Sequence, residues 1–168
     1  MPNKKIRNAT TAKVKGITFK SQSEKMVYKT LLENGIKAQY EPKTFVLWEG
    51  FSPKTPFYDQ ETDRQQDIRN EGLEHKTSKI LVKKSTGVVG IRYTPDFYFR
   101  VDDVDVWIEV KGIENDVFYI KKKLFRKYLD DRLEQTNQKS MFFEIYTKRQ
   151  VLQALDIIRE YVESIKQN

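Results

Sequence analysis

The stretch from Tyr93 to Gly112 reads YTPDFYFRVDDVDVWIEVKG, and its residue types dictate two antiparallel strands. Tyr98 to Val101 and Val106 to Val110 are rich in aromatic and β-branched residues, and Asp102-Asp103 between them is turn chemistry. Side chains on a strand alternate faces, so Trp107, Glu109 and Lys111 share one face while Val106, Ile108 and Val110 share the other. Pro95 lacks an amide hydrogen and pushes Thr94 toward an extended conformation, which sets Asp96 at the irregular start of its strand. Gly112 lets the chain turn away directly after Lys111. The start of one antiparallel strand lies beside the end of its partner. Asp96 is therefore expected to meet Glu109 and Lys111, which outlines a metal site.

That outline suits phosphodiester hydrolysis. Two carboxylates offer hard oxygen ligands without filling an octahedral Mg2+ shell, and the Val110 carbonyl can add another; Mn2+ is expected to substitute. Lys111 fits an electrostatic role better than that of a general base, which would have to lose its proton. The bland reading is a surface hairpin in which Asp96 caps a turn and Glu109 pairs with Lys111. So short a pattern arises by chance, and context has to decide. Pro95-Asp96 followed by Glu109-Val110-Lys111 resembles the signature of the PD-(D/E)xK nuclease superfamily.

Composition narrows the context. The chain has 168 residues, enough for one domain with a real core, and 33% of them are charged. Lysine and arginine outnumber acids by 31 to 24, a formal charge of +7 that favours a polyanionic partner, nucleic acid before membrane. No apolar run approaches a membrane span and the N-terminus lacks the apolar segment of a signal peptide, so a cytoplasmic protein is expected. The absence of cysteine excludes disulfides and thiolate metal sites, and the lone His75, read as a surface residue, disfavours zinc.

Residues 1–20 carry Lys4, Lys5, Arg7, Lys13, Lys15 and Lys20 without an acid, and read as a basic arm or a solvated tail. Residues 21–168 read as a single domain. Ser21 and Glu24 have capping-box spacing, Asn34-Gly35 is a stop, and Val27, Tyr28 and Leu31 are the apolar stripe of a helix between them. Glu24 falls on the buried-side face of the first turn, where it either caps the helix or adds a carboxylate to the metal cluster. Ile36 to Trp48 is extended, with Pro42 as a break and Thr44–Trp48 as the clear strand. Gly50 to Lys79 reads as a long loop, and Lys79–Lys84 with Val88–Tyr93 as a hairpin around Ser85-Thr86-Gly87, so an insertion spans about 50–90.

Asn115 to Gln135 is helical, with Phe118, Leu124, Phe125, Tyr128 and Leu133 as its apolar side. Lys121, Lys122, Lys123, Arg126 and Lys127 crowd the other side, either as a solvated face or as contacts to a nucleic-acid backbone. Met141–Thr147 is a strand, and Arg149 to Lys166 an amphipathic helix.

The order helix, strand, insertion, strand, strand, helix, strand, helix resembles the αβββαβ restriction-endonuclease-like core of that superfamily, an α/β fold with a mixed sheet flanked by helices. FKSQSEKMVYKTLLENGIKAQYEP, YTPDFYF and WIEVKG further resemble phage junction-resolving enzymes of the endonuclease I type. EPKTFVLWEGF, IEVKGIENDVF and KKKLFRKY resemble a small family of nuclease-like phage and prophage proteins. The resemblance implies Glu24, Asp96 and Glu109 as metal ligands and Lys111 as the catalytic lysine. It also implies a homodimer acting on DNA, with branched DNA such as a Holliday junction as a candidate substrate. The insertion has no counterpart in endonuclease I. The expectation is a magnesium-dependent DNA endonuclease; the alternative is a nucleic-acid-binding protein that keeps the fold without cutting.

Overall fold

The computed structural model describes residues 11–62, 79–84, 86–112 and 116–167. The chain is mixed α/β, with three helices among the described residues and a four-stranded mixed sheet. Its centre is the expected hairpin. Strand β8 (Phe97–Val101) and strand β9 (Val104–Val110) pair antiparallel, with Phe97 opposite Ile108 and Val101 opposite Val104. Asp102 turns the chain at φ 49°, a left-handed conformation that aspartate tolerates better than most residues.

Strand β10 (Lys139–Ile145) lies parallel to β9, and β3 (Gln39–Tyr40) closes the other side antiparallel to β8, giving the order β10-β9-β8-β3. The parallel pair needs a crossover, and helix α2 (Asp116–Thr136) supplies it. Both faces of β9 are covered, the apolar one and the one that carries Trp107 between Asp105 and Glu109. Val104, Val106 and Ile108 join Phe97, Phe99 and Ile145 against helix α1 (Gln22–Glu33) and helix α3 (Lys148–Lys166). On the opposite face Trp107 packs with Phe45, Tyr93, Phe118, Phe125 and Leu129, so α2 covers that side. Full burial of side chains such as Phe97 and Ile108 contributes roughly 1.5–3 kcal/mol each.

Helix α1 begins and ends where its caps are. The Glu24 N–H donates to Ser21 Oγ at 3.1 Å. At the other end Gly35, at φ 79°, lets its own N–H reach the Leu32 carbonyl and the Ile36 N–H reach that of Leu31, a Schellman ending. Helix α3 carries a full capping box between Thr147 and Gln150.

Three segments differ from expectation. Within residues 1–20, β1 (Ala12–Val14) and β2 (Ile17–Phe19) form a hairpin through Lys15 and Gly16, both at positive φ, and Phe19 is buried in the α1 core. From Ala12 on, this segment is therefore structure rather than arm; Lys4, Lys5 and Arg7 lie outside the described residues. The first strand of the main sheet is Gln39–Tyr40 rather than Thr44–Trp48. Glu41, at φ 44°, and Pro42 break the extended run, so β4 (Phe45–Trp48) leaves to pair with β7 (Ile91–Tyr93) in a separate two-stranded sheet. Lys79–Lys84 (β6) does not pair with Val88–Tyr93. It pairs with β5 (Phe57–Thr62), from within the stretch expected to be loop.

Glu49–Ile91 form a compact unit of their own, distinct from residues 1–48 and 92–168. The β5–β6 ladder is its regular part, and Phe51 and Val88 exchange two backbone hydrogen bonds at 2.9 and 2.7 Å. Gly50 has a reason to be glycine: a Cβ there would stand 2.7 Å from the Val88 carbonyl oxygen. Residues 63–78, including His75, lie outside the described residues. No described helix is long and apolar enough to cross a membrane.

Candidate active site

The open end of the β8–β9 hairpin gathers the expected side chains. The Val110 N–H donates to Asp96 Oδ2 at 2.7 Å, which fixes the Asp96 carboxylate beside the end of β9. The Asp96 carbonyl in turn accepts the Glu41 N–H at 2.8 Å, the last tie between β3 and the start of β8. On β9, Glu109 is buried at 6% exposure. Tyr93 OH donates to its Oε2 at 2.6 Å, and Lys111 Nζ pairs with its Oε1. Lys111 Nζ also lies 3.4 Å from the centre of the Phe118 ring on α2, so a cation–π contact fixes the ammonium from a second side.

This end is rich in negative charge. Burial pushes the Asp96 carboxyl up to about 8, with Glu109 and then Glu24 pushing the same way; the Val110 N–H and Lys111 act against them. Burial and the neighbouring Glu109 hold the Tyr93 phenol far above the ordinary tyrosine range, so it stays a donor to Glu109. Lys111 acts on both Asp96 and Glu109, and the charge of Lys20, paired with Glu41, also reaches Asp96.

Glu24 is buried on the inner face of α1, as its spacing required. Its carboxylate accepts the Lys20 N–H at 3.0 Å, the Ser21 hydroxyl at 2.9 Å and the Tyr40 hydroxyl at 2.6 Å. Among the described residues no three or more of His, Cys, Asp and Glu stand together as a set able to hold a metal ion. Glu24 is thus not gathered with Asp96 and Glu109 into one ligand group, though its charge is felt at Asp96.

A cavity of about 550 Å3 opens over Glu109 and Lys111, walled by Lys20, Glu41, Thr44, Arg92, Tyr93, Thr94, Val117, Phe118 and Lys121. Asp96 is not among its walls. Several of these residues escaped sequence reasoning. Tyr93 was visible next to the motif but reads as an ordinary strand residue. Glu41 sits at the break before Pro42 and is neutralised by Lys20, whose ammonium that carboxylate holds above its ordinary range. The chain has a larger cavity, about 690 Å3, within the 49–91 unit among Phe51, Pro53, Phe57 and Val88. Its charged walls are Lys54, Asp59 and Lys84, a single acid among lysines, so size does not select the site.

The basic run of α2 is divided by the helix. Lys121 faces the cavity. Lys122 is drawn to Glu144 at 2.9 Å and lies near the rings of Phe118 and Tyr119. Lys123 lies 4.4 Å from the Tyr119 ring centre and, with Arg126 and Lys127, borders a depression shared with Asp130, Asp131 and Glu134. Lys127 pairs with Asp131 at 2.7 Å.

Comparison of the chain with protein-family models, with curated proteins and with solved structures returns no match.

Proposed function

We propose that this chain is a metal-dependent DNA endonuclease of the PD-(D/E)xK type, hydrolysing phosphodiester bonds at Asp96, Glu109 and Lys111. The observation that carries the reading is the hairpin register. It sets two acids and a lysine at one strand end, with Glu109 and Lys111 on the wall of an open cavity. The order of the elements supports it. Helix α1, strands β3, β8 and β9, helix α2 and strand β10, with β9 and β10 parallel, run in the sequence αβββαβ that such a core needs. The 49–91 unit then falls after the first core strand, and α3 is the added C-terminal helix.

The donor set suits a hard divalent cation. Asp96 and Glu109 offer oxygens only, and the Asp96 carboxyl, raised first by burial and then by Glu109 and Glu24, is one whose ionised form a bound cation would favour. Asp96, Glu109 and the Val110 carbonyl would hold Mg2+, or Mn2+ in its place, with most of its shell left to water and substrate. When bound, the ion supplies a Lewis acid for a phosphate oxygen. The chain's own residues do the rest. Tyr93 and Lys111 fix the two oxygens of Glu109. Lys111, pinned over Phe118, puts positive charge where the phosphorane gathers negative charge. Water attacks phosphorus, the bond to the leaving oxygen breaks, and that oxygen departs with a proton derived from the attacking water.

A binder that does not cut is the second reading, favoured by one observation: Glu24 is satisfied by three donors and needs no ion. The test is cleavage of a labelled four-way junction beside duplex, flap and single-stranded DNA, with Mg2+, Mn2+ or EDTA, by wild type and Glu109→Gln. Metal-dependent cutting lost in the variant supports the nuclease. Cutting of the junction alone, by a dimer, supports a resolvase. Tight binding without cutting under any condition supports the binder.

A further inference from the structure

The cavity over Glu109 and Lys111 has a second property, in its outer walls. Of its cations, Lys111 is committed to Glu109 and Lys20 to Glu41. Arg92, exposed on β7, and Lys121, half-buried on α2, have no acidic partner among the described residues. The rest of the basic run on α2 lies off this cavity: Lys122 turns to Glu144, and Lys123, Arg126 and Lys127 border a separate depression. Arg92 also sits directly before Tyr93, the residue that holds Glu109. The ladder that fixes Tyr93 therefore fixes the backbone of Arg92 too.

Two cations with no acidic partner among the described residues, set on the walls of one cavity, can serve an anionic occupant. A volume of about 550 Å3 is that of an ordinary small-ligand site and would admit a mononucleotide as readily as a strand. The cations decide between them. The reacting phosphate meets Lys111, so two more positive groups on separate elements call for further phosphates on the same molecule. A guanidinium can grip a phosphate through two parallel hydrogen bonds, while a lysine acts as a point charge. We infer that Arg92 and Lys121 form a clamp for the phosphates flanking the one attacked. The site then selects a nucleic-acid strand over a nucleotide-sized diester, an inference that rests on the hydrolase reading for its central phosphate.

The test uses the full chain, with Arg92→Ala/Lys121→Ala compared against Lys148→Ala/Lys166→Ala, which removes the same charge at the ends of α3. Oligonucleotide binding is titrated against salt in EDTA, where no cutting occurs. The clamp variant should bind about tenfold more weakly, and its slope of log affinity on log salt should fall by about 1.5–2, with the α3 variant near wild type. With Mn2+, the ratio of kcat/KM for the oligonucleotide to that for bis(p-nitrophenyl) phosphate should fall about tenfold, chiefly through KM. An unchanged slope, or equal losses in both double variants, overturns the clamp. If wild type cuts neither substrate but the slope still falls, the phosphate-binding pair stands and the hydrolase reading fails. If metal-dependent cutting occurs with an unchanged slope and ratio, the clamp alone fails.

Discussion

Asp105 and Glu109 are buried carboxylates on one strand and one face, about 13 Å apart, yet the two ends of the β8–β9 hairpin treat them oppositely. At the turn end Asp105 accepts the Tyr98 hydroxyl at 2.9 Å and meets Arg132 at 2.9 Å, with Arg100 at 3.9 Å. Two cations answer one anion. At the open end Lys111 answers both Glu109 and Asp96, Lys20 is in contact with Glu41 and reaches Glu24 and Asp96 only at longer range, and Glu24 adds its charge nearby. The turn end is a finished structural ion cluster. The open end stays balanced only by keeping a proton on Asp96 up to about 8, so that a negative charge without its own cation appears once that proton is lost, and a fold tolerates this where something else completes the site. Burial alone does not mark a functional acid; the deficit of partners does.

The largest expected effect breaks the pair on the activity side. Glu109→Gln should lower cleavage by at least about 1000-fold with the melting temperature little changed, since the amide still fills the site. Asp105→Asn should leave the rate per folded molecule within a few-fold. Similar losses in both would remove the distinction between the ends.

Stability should respond in the reverse order. Asp105→Ala leaves Arg132 and Arg100 facing an empty site and should cost about 2–3 kcal/mol in denaturant unfolding, less than for a fully enclosed pair because both arginines reach water. Asp96→Asn should instead stabilise the metal-free protein by about 1–2 kcal/mol, because asparagine still accepts the Val110 N–H without the charge. The sign with pH follows from the raised carboxyl. Folded Asp96 keeps its proton up to about 8, whereas the unfolded chain releases it near the ordinary value of 3.8. The folded state thus binds more protons in that window, and stability falls as pH rises through it. The advantage of Asp96→Asn over wild type should therefore grow from acid conditions to about pH 8 and level off above. A difference that does not vary with pH would show that the Asp96 carboxyl is not raised in the folded protein.

The smallest effect concerns Tyr93. Tyr93→Phe removes the donor to a buried carboxylate oxygen and should cost about 1 kcal/mol, with an activity loss near tenfold from a looser Glu109. Loss of activity with no change in KM or melting temperature would assign the phenol a different role.

Much of this contrast was legible in the residues. Period-two alternation placed Glu109 and Lys111 on the Trp107 face, and Pro95 with Asp102-Asp103 bracketed the strand that brings Asp96 beside them. The charge balance was not legible, because it depends on partners distant in sequence: Tyr93 sixteen residues before Glu109, Tyr40 sixteen after Glu24. The β5–β6 pairing was hidden for a related reason. Its two strands are separated by residues 63–78, and local turn chemistry at Ser85-Thr86-Gly87 suggested a nearer partner for Lys79–Lys84. The basic run of α2 looked continuous because composition ignores helical phase. A single residue's step of about 100° around the helix sends Lys121 to the cavity and Lys122 to Glu144.

The claim that the open end lacks a cation is tested most directly by titrating Mn2+ into the metal-free protein by calorimetry, above the Asp96 midpoint, in buffers of different ionisation enthalpy. Saturable uptake by wild type, lost in Glu109→Gln and Asp96→Asn but retained in Asp105→Asn, with proton release increasing as the pH is lowered toward that midpoint, is the predicted result. No saturable uptake by wild type, or equal uptake by all four proteins, would contradict it.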